Sequence, residues 1–207
     1  MKTLIAVPCM DQVPVPFCKS LAMLQKVGDC ALAMKAGALI YASRDDLAVQ
    51  AAQMEADFVM WFDSDMNFAP DTMLRLFKTL KDNNLDIVSG LYFRRVVPYT
   101  PVLFDQLDME GEKCTWTEFK EVPETLFEVG GVGFGCILMK TDVFFDVQGK
   151  FGKMFTPIGG LGEDLAFCWR ARQCGYKIMV DPNVVCGHVG YYVFDDKFSQ
   201  AFRGFQK

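Results

Sequence analysis

The stretch FVMWFDSDMNF, residues 58–68, runs an apolar segment straight into two carboxylates, Asp63 and Asp65, with only Ser64 between them. A carboxylate is costly to bury unless it is paired, hydrogen-bonded or bound to a metal. At the mouth of a strand the cost is lower, and two acids one residue apart can converge on a divalent cation. Mg2+ and Mn2+ prefer oxygen ligands and commonly share their shell with a substrate's phosphates. Aspartate is also common in solvated turns and at helix N-caps. The bare spacing is therefore a weak signal, and the apolar strand before it supplies the weight.

Three further groups have chemistry to offer. His188, in DPNVVCGHVG, is the only histidine of the chain. A lone imidazole is often structural or simply solvated, but with one or two carboxylates it suits Mn2+ better than an all-oxygen shell suits Ca2+. In GLGEDLAF, Glu163 and Asp164 open a helix, where acids complement the helix dipole. The glycines at 159, 160 and 162 predict a mobile loop that brings a carboxylate to a reacting centre, where it takes a proton from an acceptor hydroxyl. Arg44, in YASRDD, is expected just after a strand, at the ligand edge of a sheet, where a guanidinium pairs with a diphosphate. GGVGFGC (130–136) has no strand–GxGxxG–helix context and does not read as a dinucleotide site. Its glycines are expected to leave space for a ligand close to the backbone.

The elements that must position these groups follow from periodicity. Strands are predicted at 3–9, 38–43, 57–63 and 86–93. Helices are predicted at 16–28 (with Gly28 as the stop), 44–56 and 70–84. That alternation implies a parallel sheet with right-handed crossovers, whose ligands sit beyond the carboxyl ends of the strands. Asp63 and Asp65 occupy that edge. The later chain reads as a hairpin or loop near 101–119, two strand pieces around a glycine bend at 126–140, a helix after Gly162 closed by Gly175, and a strand over 176–182.

Composition narrows the function classes. The 207 residues, 51% hydrophobic, suit one domain with or without a tail. A formal net charge of −5 without a long basic run argues against a non-specific grip on nucleic acid. No stretch reaches the roughly 18 apolar residues of a membrane span. Pro8 interrupts the first apolar run, which reads as a core strand rather than a signal peptide, so a cytoplasmic protein is expected. The eight cysteines contain no C-x-x-C pair and read as reduced, buried thiols. With a single histidine, zinc is a poor match.

Taken together, LIAVPC, SRDDLAVQAA, MWFDSDM, DIVSGLYFRR, VGGVGFGCILMK, GEDLAFCWRARQCGYKIMVDP and the GH at 187–188 resemble, in order, the GT-A glycosyltransferases, most closely the family-2-like enzymes and their short bacterial and bacteriophage forms. The match covers most of residues 3–190. The resemblance implies an α/β, Rossmann-like nucleotide-diphospho-sugar transferase fold, with a central mostly parallel sheet flanked by helices and a small antiparallel second half. It implies a catalytic domain over 1–190, with the nucleotide-sugar half at 1–95 and the acceptor half at 96–190, and a flap or arm at 191–207. The implied reaction is metal-dependent transfer of a single sugar from a nucleoside-diphosphate sugar, UDP-linked in this reading, to an acceptor hydroxyl.

Carried over, Pro8 lies beside the nucleotide, Arg44 near its phosphates, and Asp63 and Ser64 at the donor. Asp63, Asp65 and His188 hold Mn2+ or Mg2+, Asp164 is the base, and Glu163 positions the acceptor. The tail, with Tyr191, Tyr192, Phe194, Phe198 and Arg203, is expected to fold over the donor. The chain departs from the family in two places. YASRDD stands where many members carry an acidic pair that reads the base, and the QxxRW motif of processive synthases is missing, which implies single-sugar transfer. The competing readings are a sugar-nucleotide nucleotidyltransferase, whose usual glycine-rich basic loop is missing from PCMDQVPVP, and a non-catalytic nucleotide- or carbohydrate-binding module.

Overall fold

The structure is a computed structural model that describes residues 1–37, 39–111, 113–119, 121–190, 193–196 and 199. In chain order the elements are β1 (Lys2–Cys9), α1 (Val15–Met23), β2 (Asp29–Ala36), α2 (Ile40–Gln53), β3 (Phe58–Phe62), β4 (Met66–Asn67), α3 (Thr72–Asp82) and β5 (Ile87–Leu91). The second half adds β6 (Leu103–Glu110), β7 (Lys113–Glu118), β8 (Phe127–Val129), β9 (Gly131–Val132), β10 (Cys136–Lys140), α4 (Asp142–Phe151), α5 (Glu163–Gln173), β11 (Ile178–Val185), β12 (Gly187–Val189) and β13 (Val193–Phe194). No helix among the described residues is long and apolar enough to cross a membrane.

Among the described residues a seven-stranded sheet runs in the order β2-β1-β3-β10-β5-β11-β8. The strands β1, β2, β3, β5 and β11 share one direction, and β8 and β10 oppose it. This is the mostly parallel α/β sheet that the alternation of elements predicts, with one addition. β10 enters antiparallel between β3 and β5, so those two strands are not neighbours.

Both faces of the sheet are covered, which explains why β1 and β3 are continuous apolar runs rather than alternating ones. Leu4, Ala6, Val59 and Trp61 pack on one side with residues of α2, α4 and α5. Ile5, Val7, Met60 and Phe62 pack on the other with residues of α1 and α3. The period-two side-chain alternation of a strand does the sorting.

Three predicted elements shift. Of the strand expected at 38–43, residues 40–43 form the start of α2, and the second strand is β2, which begins nine residues before the expected one. β2 is an edge strand with a mostly exposed burial pattern, and its apolar residues, Cys30 to Met34, form a short run of mostly small side chains without period-two alternation. The helix expected at 16–28 ends at Met23, and Gly28 (φ 74°) instead turns the chain into β2. α4 has no counterpart in the predicted elements. The 101–119 segment is a hairpin, β6–β7. The 126–140 segment divides into three strands rather than two.

Candidate active site

The carboxyl ends of β1, β3 and β5 open into a cleft of about 460 Å³. Its lining includes Pro8, Ser43, Asp63, Ser64, Asp65, Tyr92, Arg95, Asp164 and His188. Residues from six separated segments therefore meet at the edge where the sheet topology places a ligand.

Local pairing explains how His188 arrives there. After Asp63 the chain turns, with the Met66 N–H donating to the Asp63 carbonyl at 3.1 Å, and enters β4. β12 pairs antiparallel with β4, placing His188 opposite Met66. The Val189 N–H donates to the Asp65 carbonyl at 2.7 Å, which fastens the His188 strand to the Asp63–Asp65 turn. As a result His188 Nε2 lies 3.4 Å from Asp65 Oδ2. The ring is oriented from behind: Nδ1 lies 2.9 Å from the Phe93 carbonyl, which can only accept, and this leaves Nε2 facing Asp65. The Tyr92 ring packs edge-on against the imidazole at 5.7 Å between centroids. Burial would raise the carboxyl pKa of Asp65. The hydrogen bond and charge of His188, with the charge of Arg95, outweigh it and leave the group below its ordinary value.

Asp63 takes a different partner. Arg44 Nη2 lies 2.7 Å from Asp63 Oδ1, and Arg44 Nε lies 3.4 Å from Glu163 Oε1. The Arg44 side chain is only 1% exposed. Its guanidinium carbon stands 5.6 Å from the Trp61 ring centroid and 5.0 Å from that of Phe134. Arg44 thus sits in α2 beneath the acids rather than after a strand at the phosphate edge, and its charge is engaged by two carboxylates. This corrects its expected place. Because Asp63 is drawn toward Arg44, no three His, Cys, Asp or Glu side chains among the described residues converge on a single ion position. The expected trio of Asp63, Asp65 and His188 shares the cleft but divides into an Asp63–Arg44 pair and an Asp65–His188 pair.

Of the acids of α5, Asp164 lines the same cleft. Glu163 and Asp164 form the first turn of that helix, after Gly162 at its N-cap. Asp164 Oδ1 accepts the Leu165 N–H at 2.7 Å. Burial, followed by the neighbouring Glu163 charge, pushes the Asp164 carboxyl up to about 6. Arg44 and the Leu165 N–H oppose that rise. The glycine loop before α5 is a hydrogen-bonded turn. Leu161 N–H donates to the Ile158 carbonyl at 2.7 Å, and Cys114 N–H of β7 donates to the Gly159 carbonyl at 3.2 Å.

The glycines of GGVGFGC serve packing and not a ligand. A Cβ at Gly133 would lie 2.0 Å from the Tyr92 hydroxyl, and one at Gly135 would lie 2.8 Å from Tyr92 Cζ. The Gly135 N–H donates to the Tyr92 hydroxyl at 3.2 Å. The space those glycines leave is filled by Tyr92, which the sequence patterns did not single out. Arg95 was also missed as a site residue; it lies at the end of DIVSGLYFRR, where two adjacent arginines after a core strand were the available signal. Arg94 pairs with Glu118 of β7 at 2.8 Å, and Arg95 with Asp65 at 2.9 Å. Of the expected tail flap, Tyr191, Tyr192, Phe198, Arg203 and the Phe194 side chain lie outside the described residues.

No family model and no curated protein matches this chain. Solved structures do. Protein A197 from STIV aligns at a TM-score of 0.67 and 16% identity, covering 92% of this chain and 86% of that one. Residues 1–349 of TarS from S. aureus, solved in complex with UDP-GlcNAc, align at a TM-score of 0.56 and 16% identity, covering 87% of this chain and 56% of that one. The chain thus spans a little over half of the TarS chain it matches. At this level of identity the likeness is one of fold, and the fold is the GT-A type of mixed α/β architecture.

Proposed function

We propose that the protein is a glycosyltransferase that moves a single sugar from a nucleoside-diphosphate sugar, a UDP-sugar in the first instance, to an acceptor hydroxyl. The observation that carries this reading is the convergence of Asp164, with its raised pKa, and the Asp65–His188 pair on one cleft at the carboxyl edge of a GT-A-type sheet. TarS, which shares the fold, was solved with UDP-GlcNAc.

Asp164 is the base. A carboxyl of pKa about 6 is ionised at neutral pH, yet holds a proton more firmly than an ordinary aspartate. It takes the acceptor's hydroxyl proton as that oxygen bonds to the anomeric carbon. The bond from that carbon to the diphosphate breaks, and its electron pair leaves with the diphosphate. Attack opposite the leaving group inverts the anomeric centre. Glu163 is tied to Arg44 and borders the same approach.

The donor set at Asp65 and His188 fits a divalent cation of the Mn2+ or Mg2+ kind. It offers one carboxylate oxygen and one imidazole nitrogen, with the ring held by the Phe93 carbonyl in the manner common to ligating histidines. Two protein donors leave room for a substrate's phosphate oxygens and water. Such an ion, when bound, neutralises charge that develops on the departing diphosphate. Asp63 and Ser64 border the donor, as does Pro8 at the end of β1.

The test is incubation with a panel of nucleotide sugars, with and without Mn2+, followed by assay of the released nucleotide. Release of nucleoside diphosphate that is lost in Asp164→Asn supports transfer. Pyrophosphate-dependent formation of nucleoside triphosphate favours a nucleotidyltransferase, and binding without turnover favours a non-catalytic module. Mn2+ together with UDP is expected to raise the melting temperature, because a ligand of the native state stabilises it. Asp65→Ala and His188→Ala are expected to remove the Mn2+ part of that rise.

A further inference from the structure

The cleft has a charge problem that the residues above do not solve. Asp63, Asp65 and Asp164 line it, and Arg95 is the one cationic side chain among the described lining residues. Arg44 lies below, with Nε and Nη2 already bound to Glu163 and Asp63. A diphosphate entering between three carboxylates needs a positive partner that faces it.

Arg95 is built for that task. It follows β5 at the carboxyl edge of the sheet, and its side chain is 43% exposed within the cleft wall. Nη1 makes both of its recorded bonds, to Asp65 Oδ2 at 2.9 Å and to the Val189 carbonyl at 2.9 Å. A guanidinium carries five N–H donors in a planar fork. Those on Nε and Nη2 have no protein acceptor among the described residues, although they belong to a group anchored at one corner. Arg94, one residue earlier, is spent on Glu118 and on the face of Phe104, 5.6 Å from its guanidinium carbon. Of the two adjacent arginines, one ties down the β6–β7 hairpin and the other is left with unused donors at the site.

Asp65 Oδ2 is also the oxygen that faces His188 Nε2. The carboxylate that would ligate a cation is therefore already neutralised by Arg95. We infer that Arg95 is the diphosphate-binding residue of this cleft and that, with no donor present, it competes with a divalent cation for Asp65. The Nε and Nη2 donors meet the phosphates even while Nη1 stays on Asp65, and when a cation takes Asp65 the Nη1 group is released toward them as well, with the Val189 carbonyl as its pivot. This rests on the donor reading given above and extends it: Arg95, rather than the buried Arg44, contacts the phosphates.

The experiment is calorimetric and needs no turnover. Metal-stripped wild-type protein and Arg95→Gln are each titrated with UDP and UMP, and separately with Mn2+ alone. Wild type is expected to prefer UDP to UMP by about tenfold, the worth of one charge-assisted pair. Arg95→Gln should bring that ratio near one. The same substitution should tighten Mn2+ binding by about threefold to fivefold, since it removes a partly solvated competing pair. An Arg95→Gln ratio equal to wild type overturns the phosphate role, and an unchanged Mn2+ affinity overturns the competition. Arg95→Lys, which keeps the charge without the fork, should recover part of the UDP preference; no recovery beside a lowered melting temperature would make Arg95 a structural residue only. Failure of wild type to bind either nucleotide, with or without Mn2+, would defeat the donor reading itself. An intact UDP preference in both proteins would defeat only Arg95.

Discussion

Arg44 and Glu163 stand 119 positions apart in the chain, yet Arg44 Nε lies 3.4 Å from Glu163 Oε1 while Nη2 of the same guanidinium holds Asp63 at 2.7 Å. One buried cation thus joins the turn after β3 to the first turn of α5. It fixes the distance between the Asp63–Asp65 turn and the residue beside Asp164. Asp63 and Glu163 raise the Arg44 pKa against a burial that would lower it, so the group stays charged.

Arg44→Gln is accordingly expected to destabilise the fold by about 3 kcal/mol, the low end for breaking a buried pair, because both carboxylates keep some contact with solvent. Chemical denaturation measures this. Arg44→Lys should recover only part of the loss, since an ammonium cannot serve two carboxylates with one planar fork. A change below about 0.5 kcal/mol for Arg44→Gln would show that the bridge is not what joins the two segments.

Asp164 gives a pH prediction with two signs. In the native state its carboxyl keeps its proton up to a pH of about 6, whereas in the unfolded chain it releases it near 4. Between those values the native state binds more protons, so this group makes stability fall as pH rises. Asp164→Asn escapes that loss. Its stability in chemical denaturation should match wild type near pH 4 and exceed it above pH 6, by about 2 kcal/mol after discounting for partial exposure. Transfer by wild type should climb with pH through about 6 and then level, and Asp164→Asn should fall by about a thousandfold or more with UDP binding retained. A rate that declines across that window would rule out Asp164 as the base.

Gly133 and Tyr92 should be strongly coupled. Gly133→Ala sets a methyl 2.0 Å from the Tyr92 hydroxyl and 2.9 Å from Val102 Cγ1. It is expected to cost about 2–3 kcal/mol, in the range of overpacking. In a Tyr92→Phe background the 2.0 Å clash is gone and the milder approaches to Val102 Cγ1 at 2.9 Å and to the ring's Cζ at 3.2 Å remain, so the cost should shrink by at least about 1 kcal/mol. Additive effects in that double-mutant cycle would mean the backbone yields instead. Tyr92 also packs on His188, so Gly133→Ala should weaken Mn2+-dependent UDP binding as well.

Thiol labelling under native conditions should divide the cysteines. Cys18 is exposed, while Cys136, Cys168 and Cys186 are buried. Burial pushes the Cys168 thiol up to about 12, which also suppresses its thiolate. Fast modification of Cys18 and protection of those three until denaturant is added are the expected pattern. Rapid native-state labelling of Cys168 would contradict the packing of α5 on β9.

The parts of this site that were legible in the sequence are those whose local pattern and final surroundings agree. β3 is apolar because both faces are covered, and its acids fall at the sheet edge in sequence and in space. The acids of α5 are marked by the glycines before them. Arg44 was misplaced because ALIYAS is a short apolar run, which periodicity cannot assign to strand or helix. α2 also begins at Leu39 with no side-chain cap to announce it. DCALAMKA holds only the short run CALAM, which periodicity alone does not assign to a strand, and as an edge strand it needs no buried face along its whole length. The role of Arg95 depends on β12 pairing with β4, a long-range contact that has no trace in the residues around either strand. The glycines at 133 and 135 were seen, but their cause, a tyrosine side chain some 40 positions earlier, was not.

The place of β10 has a consequence during synthesis on the ribosome. β3 and β5 do not touch along their length; Cys136–Lys140 lies between them and bonds to both. Until that segment has left the exit tunnel, two central strands of the nascent chain have unpaired inner edges, and the sheet has no continuous core. A fragment that stops before residue 136 should therefore emerge as an aggregation-prone, chaperone-dependent species. The cleft, which also needs Asp164 and His188, would assemble only after residue 188 had emerged.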